Sequence, residues 1–385
     1  MPSLVKIEDR VEPLVSEWER LARHTNANPF LWPGWVNAWW RAFGAGQLQI
    51  FTVYENGNLA AVLPLRRFRG VLTTTTNPEA QLSGFLAANE TAVKELSSAL
   101  FLKGVRRIDL SFLPSSDIGV SLARTTAEAA RYGVIMESIQ AAPYVAVGRT
   151  TWDEYEGGLR KKFRSEILRR RRRLEEDGRL ALEVYDGTER LEELLEEGFR
   201  VEASGWKDTY GTSIQARPSV LRFYSEVARW ATKQGWLRLA FLRYKGQAIA
   251  FDYCLEYNKT HYLLKTGFDP AYRKYGPGMI IRYLMLARAF SEGLMTYDFL
   301  GLAAGTGPYA WKREWTDTEQ ERVFLHMFAP TVLGFLDQEF FAGRHSASEY
   351  ASNLVNSSVF PERGRRLLKH GNFLRTSMLD RRHTR

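Results

Sequence analysis

Tyr272-Arg273-Lys274-Tyr275-Gly276-Pro277-Gly278-Met279 is the stretch on which the reading of this chain turns. It sets an R-x-x-G-x-G loop between an apolar strand pattern, His261 to Gly267, and a helix pattern in which Ile280, Tyr283, Leu284, Ala287 and Phe290 recur at helical spacing. A loop so placed feeds a helix N-terminus, where unpaired backbone N–H groups and the positive end of the helix dipole converge. Two glycines let phosphates approach the main chain without meeting a Cβ. The expected ligand is a pyrophosphate, held by the backbone from Lys274 to Met279 with charge from Arg273. By itself the pattern also describes a glycine-capped turn.

The elements around the loop add weight. Leu237 to Tyr244 is a strand pattern, Lys245-Gly246 a turn, and Gln247 to Tyr257 a second strand; Asn258-Lys259 turns the chain into the third. After the helix, Thr296 to Leu300 gives one more short strand. An echo of this order stands in the first half. Leu48 to Tyr54, a turn at Glu55-Asn56-Gly57-Asn58, and Leu59 to Leu65 form the same kind of hairpin, followed by a helix pattern from Thr91 to Leu102 and a strand at Arg107 to Phe112. At the point matching the glycine loop, this half has only Arg66-Arg67-Phe68-Arg69-Gly70 and a threonine run, Thr73 to Thr76. The expectation is an α/β protein of two tandem copies of one fold, the first unable to bind the cofactor.

The strand–strand–strand–loop–helix–strand order with R-x-x-G-x-G resembles the GNAT acyltransferase superfamily. More narrowly, Phe30-Leu31-Trp32-Pro33-Gly34-Trp35 with Trp39-Trp40, and Tyr297-Asp298-Phe299-Leu300-Gly301 followed by Tyr309 and Trp311-Lys312, resemble the tandem-GNAT FemABX-like and CelD-like group. Trp311 stands where that group usually has phenylalanine. The resemblance implies mixed central sheets flanked by helices in both copies. The expected parts are a degenerate domain over 1–150, a basic linker helix over 151–180, a catalytic domain over 181–330 and a helical basic tail over 331–385. It implies acetyl-CoA or a longer acyl-CoA as co-substrate, and transfer to an amine or hydroxyl of an amino sugar, cell-envelope or exopolysaccharide component or similar small acceptor. Aminoacyl transfer from charged tRNA and a non-catalytic CoA-fold scaffold of a polysaccharide synthase complex are the alternatives.

Direct transfer needs no covalent nucleophile. It requires a positioned thioester, a neutral acceptor, a donor to the carbonyl oxygen and a proton for the departing thiolate. The resemblance implies that the exposed edge of His261–Gly267, including Leu264 and Thr266, pairs with the pantetheine arm. It further implies that Tyr309 protonates the thiolate and that Lys312 works near the acyl donor. For the base, Asp298 and Glu202 are the leading acids, with Asp252 and Glu256 behind them; Asp298 also suits a backbone cap.

Composition limits the rest. At 385 residues, 45% apolar and 13% aromatic, the chain is long enough for two buried cores. Its single cysteine, Cys254, permits no disulfide framework, and six scattered histidines show no metal-ligand spacing. No apolar run reaches the ~18–20 residues that span a bilayer, and Met1 to Arg10 lacks a signal-peptide core. A cytoplasmic protein, able to lie at the inner face of a membrane, is expected. The net charge of +9 is concentrated. Arg160 to Arg173 holds nine basic residues against Glu166, and Pro361 to Arg385 eight against Glu362 and Asp380. Tyr155, Leu159, Phe163 and Ile167 repeat every four residues along the first segment. A helix there can pack by one stripe and present the rest to solvent, or to a polyanion such as tRNA or an anionic surface. Trp32, Trp35, Trp39, Trp40 and Phe43 fall at helical spacing and are expected to pack between the halves.

Overall fold

The computed structural model describes residues 4–204, 213–301 and 310–343. Strand β1 (Leu4–Glu8) leads into α1 (Val15–His24) and α2 (Pro33–Phe43). Strands β2 (Gln47–Glu55) and β3 (Asn58–Phe68) then join through Asn56-Gly57, whose φ values of 52° and 80° match the twist of paired strands. The first half continues through β4 (Val71–Thr74), the two-residue β5 (Leu86–Ala87), α3 (Glu90–Ser98), β6 (Arg107–Pro114), α4 (Ile118–Ala129) and the long β7 (Gly133–Val145). Two helices follow, α5 (Trp152–Gly158) and α6 (Lys161–Asp177). The second half runs β8 (Leu180–Tyr185), α7 (Leu191–Ala203), α8 (Pro218–Lys233), β9 (Leu237–Tyr244), β10 (Gln247–Tyr257), β11 (Thr260–Phe268), α9 (Pro277–Ser291), β12 (Thr296–Asp298) and β13 (Glu319–Phe328). A further helix covers 332–343.

All thirteen strands share one sheet, in the order β1-β2-β3-β4-β6-β13-β7-β12-β11-β10-β9-β8, with β5 attached to β3. Read from either end, the two halves lay down strands in the same order. In each, the fourth strand pairs parallel with the fifth over three residues: Val71–Thr73 against Arg107–Asp109, and Thr260–Tyr262 against Thr296–Asp298. The centre is an exchange. β13, late in the chain, pairs antiparallel with β6 of the first half, while β7 pairs antiparallel with β12 of the second and with β13. The halves are therefore stitched by backbone hydrogen bonds as well as side chains.

Side chains add a second seam. Trp35 and Trp39 of α2 are buried in one cluster with Phe223, Tyr224 and Val227 of α8, and Trp35 meets Phe223 edge-on with ring centroids 5.0 Å apart. Each such pair contributes about 0.5–1.5 kcal/mol beyond area burial.

The segment from Tyr155 to Gly178 departs from the single helix its stripe predicts. Gly157-Gly158 weakens the first helix, Leu159 takes an extended conformation (ψ 144°), and α6 starts afresh at Lys161. The apolar contacts survive the break: Leu159 and Ile167 are buried, and Phe163 meets Trp315 at 4.9 Å.

Candidate active site

One edge of β11 is covered by β10 from Thr260 to Phe268, but the other is covered by β12 only as far as Tyr262. From Leu263 onward β11 and β12 part. A bulge assists this: Tyr253 pairs with Lys265 and Cys254 with Leu263, so Leu264 is the extra residue and bends the strand. The uncovered edge is the one expected to hold an extended ligand arm. It leads into a short 3₁₀ helix, Pro270–Tyr275, and then to Gly276, whose left-handed backbone (φ 63°, ψ 51°) starts α9.

At this helix start no side chain caps the backbone. Pro277 has no N–H to offer, Gly276 donates to Arg273 O at 3.0 Å and Met279 to Gly276 O at 3.0 Å. The cradle expected over Lys274 to Met279 is thus narrower, centred on the first-turn N–H of Gly278. A Cβ at Gly276 would lie 2.9 Å from Nη1 of Arg170, and one at Gly278 3.3 Å from the Phe268 ring. Arg170 belongs to α6, which packs along this loop, and it also donates to Arg273 O at 3.5 Å. Arg170 therefore overhangs the helix start while its Nε pairs with Glu166 at 2.5 Å, and Arg273 and Lys274 belong to the 3₁₀ turn that leads into it.

Past the splay lies a buried polar cluster. Asp298, at the end of β12, accepts the Leu300 N–H at 2.7 Å, and Leu300 takes a left-handed backbone (φ 45°). Lys312 donates to Leu300 O. Lys312 is 5% exposed, and burial pushes its ammonium down to about 7, with Arg282, Arg322 and Lys265 adding to the effect and Asp298 opposing it. Burial likewise raises the Asp298 carboxyl, against the pull of Arg322, the Leu300 N–H and Lys312. Arg282 ion-pairs with Asp252 at 2.8 Å and also donates to Thr266 Oγ1 at 3.3 Å and to the Tyr297 hydroxyl. From the first half, Glu79 reaches Lys265 and Arg217, both at 2.6 Å. Burial alone would raise Glu79; the two cations hold it down at about 2.

The sequence-derived candidates divide accordingly. Asp298 and Lys312 come together, and Thr266 lies beside Arg282. Leu264 and the loop from Arg273 to Met279 line the splay and the helix start. Glu202 is 1% exposed on α7, where it accepts the Ile214 N–H at 3.0 Å. A Cβ at Gly267 would come 2.5 Å from the Glu202 Cα. Asp252 is tied to Arg282, and Glu256 to Arg288, Arg238 and His261. Tyr309 lies outside the described residues. Glu79, Arg170, Arg217, Lys265, Arg282 and Arg322 were not anticipated. Asp252, an acid inside the apolar run Ala248 to Cys254, was the available hint that a buried cation must face it. An open depression of about 720 Å³ at the β8 edge, lined by Asp186, Arg238, Arg288 and Glu292, contains none of these groups. Among the described residues no cluster of His, Cys, Asp and Glu suits a metal, and no helix is long and apolar enough to cross a membrane.

Residues 161–313 match the family model described as an acetyltransferase (GNAT) domain. FemX has the same fold, with a TM-score of 0.58 at 12% identity over 84% of this chain and 97% of its own. So does the C-terminal (DUF2156) domain of an Agrobacterium fabrum protein described as a lysylphosphatidylglycerol synthetase (TM-score 0.56, 12% identity, 86% and 95% covered). A Bacteroides thetaiotaomicron protein of unknown function follows at 0.51 and 11% identity, over 84% and 100%. No curated protein sequence matches significantly. The architecture is a tandem GNAT fold. A GNAT domain is thus matched over residues 161–313, and the chain as a whole shares the fold of FemX.

Proposed function

We propose that this protein is an acyl-CoA-dependent N- or O-acyltransferase acting on an amino sugar, a cell-envelope or exopolysaccharide component, or a similar small acceptor. The observation that carries the reading is the parting of β11 from β12 beside an α9 N-terminus that no side chain caps and that Arg170 overhangs. An acyl thioester, when bound, supplies an electrophilic carbonyl and a thiolate leaving group. Arg170, Arg273 and Lys274 neutralise its phosphates, and Gly276 and Gly278 keep the approach to the main chain open. Leu264 to Thr266, on the open edge of β11, orient the arm through backbone groups. Lys312, near neutrality at physiological pH, takes the proton from the acceptor's nucleophile, and Asp298 balances the ammonium so formed. Donor binding belongs to segment 181–330 in this reading, and segment 1–150 closes the cleft through Glu79 and Gln81.

A second reading, an aminoacyl group delivered on tRNA, is favoured by α6 itself: its basic residues continue past Arg170 along the side of the donor loop. Thermal shift separates the two. Acetyl-CoA or a longer acyl-CoA is expected to raise the melting temperature of the full chain, and Gly278→Trp to abolish that rise without lowering the unliganded value by more than a few degrees. A response to charged tRNA and to no CoA ester would reject the leading assignment. Stabilisation by CoA esters without turnover on any acceptor would leave a scaffold.

A further inference from the structure

Arg322, on β13 between the halves, is 0% exposed, yet among the described residues only its Nη1 has a hydrogen-bond partner, the carbonyl of Gln81. Its Nε and Nη2 are buried with none. These two nitrogens form the side-on edge of the guanidinium, the fork that grips a carboxylate or phosphate with two parallel bonds. A buried cation with two unsatisfied donors is costly, and native proteins rarely carry one without a reason. The groups that act on it do not supply it. Asp298 accepts the Leu300 N–H and is within electrostatic but not ion-pair reach of Arg322, and the other group acting on it, the Tyr262 side chain, is a phenol and no counter-ion. Gln81 also ties this point to the transfer site, since a Cβ on Gly301 would lie 3.2 Å from its Oε1 and 2.9 Å from Lys312 Nζ.

We propose that Arg322 is a buried subsite for a carboxylate or phosphate on the acceptor, so that the substrate class is an anionic amino sugar or a comparable acidic small molecule. The word acceptor rests on the acyltransferase reading; the anion subsite does not. A neutral acceptor leaves the Arg322 fork unpaired and loses affinity for that reason.

The test titrates the full chain calorimetrically with glucosamine, glucosamine 6-phosphate and 2-amino-2-deoxyglucuronic acid. At least one acidic probe is expected to bind about tenfold or more tightly than glucosamine, the size of one charge-assisted contact. Which acidic probe wins tells phosphate from carboxylate. In Arg322→Gln the three probes should fall within about threefold of one another. Equal binding of all three by the wild type overturns the proposal, and so does an undiminished preference in Arg322→Gln. If that variant does not fold, Arg322→Lys takes its place: it keeps the charge and loses the fork, and retention of the full wild-type preference would be equally fatal. No acyl donor is present, so failure here and failure of the CoA thermal shift are separate results.

Discussion

The two halves repeat one backbone and differ at a helix start and in the strand that precedes it. In the first, Asn89 caps α3, its Oδ1 accepting the Ala92 N–H at 2.8 Å. In the second, Gly276 precedes α9 and no side chain does that work. The preceding strands differ in the same sense. β4 has four residues and nearly ends where its parallel pairing with β6 ends, whereas β11 has nine and runs on past β12. One copy caps a helix donor with its own side chain and offers no open strand edge; the other leaves both open, as the proposed donor site requires. Degeneration of a binding fold can thus be read as self-capping, without any change of topology.

The largest expected effect tests whether the chemistry sits only in the second half. Lys312→Met should lower kcat/KM by about 10²–10⁴, the range for loss of a general base, while the CoA-induced thermal shift persists. A neutral Lys312 is the active form, so wild-type kcat/KM should rise about tenfold per pH unit up to about 7 and level off above it. Stability carries the same signature. Between pH 7 and the ordinary lysine value the unfolded chain holds a proton that folded Lys312 does not, so stability rises with pH across that window, and Lys312→Met removes that part of the slope. A profile that falls above pH 7 would make Lys312 a cationic stabiliser instead.

Much of this was legible in local sequence because local rules govern it. The two-residue turns Asn56-Gly57, Lys245-Gly246 and Asn258-Lys259 all adopt positive φ, which fixes three hairpins without reference to distant residues. The glycine loop, the helix after it and the internal repeat follow from the same short-range signals. The exchange of β7 and β13 does not, because a strand's partner is chosen by long-range packing that its own residues do not encode. For Arg170 the sequence offers a charged face turned to solvent or to a polyanion, since helical spacing cannot reveal that α6 lies against the glycine loop. Arg322 sits among strand residues, where only the finished sheet shows that its fork is enclosed.

A sharper test converts the open half toward the closed one. Gly276→Asn keeps a residue that tolerates left-handed backbone but adds a Cβ 2.9 Å from where Nη1 of Arg170 stands. The arginine must yield, and the new side chain crowds the helix start that Gly276 leaves open. Donor affinity should fall about tenfold or more, as for loss of one charge-assisted contact, measured by calorimetry with a non-hydrolysable acyl-CoA analogue. Unchanged affinity would mean that the α9 start is no part of the donor site.

The smallest effect comes from opening the closed half. Asn89→Ala deletes the cap on Ala92 N–H, and with it a contact to Glu55 at 2.9 Å. Loss of such a cap costs about 1 kcal/mol, readable as a drop in the denaturation midpoint at constant slope. The freed donors should not turn α3 into a second donor site. β4 offers no open edge, and α3 has no glycine pair at its start, since its first turn is Glu90-Thr91-Ala92, with an acid at the first position that repels phosphate. Calorimetry on Asn89→Ala should therefore give one donor site per chain. A second, weaker site would show that the cap alone separates the two copies, and that strand length and charge are secondary.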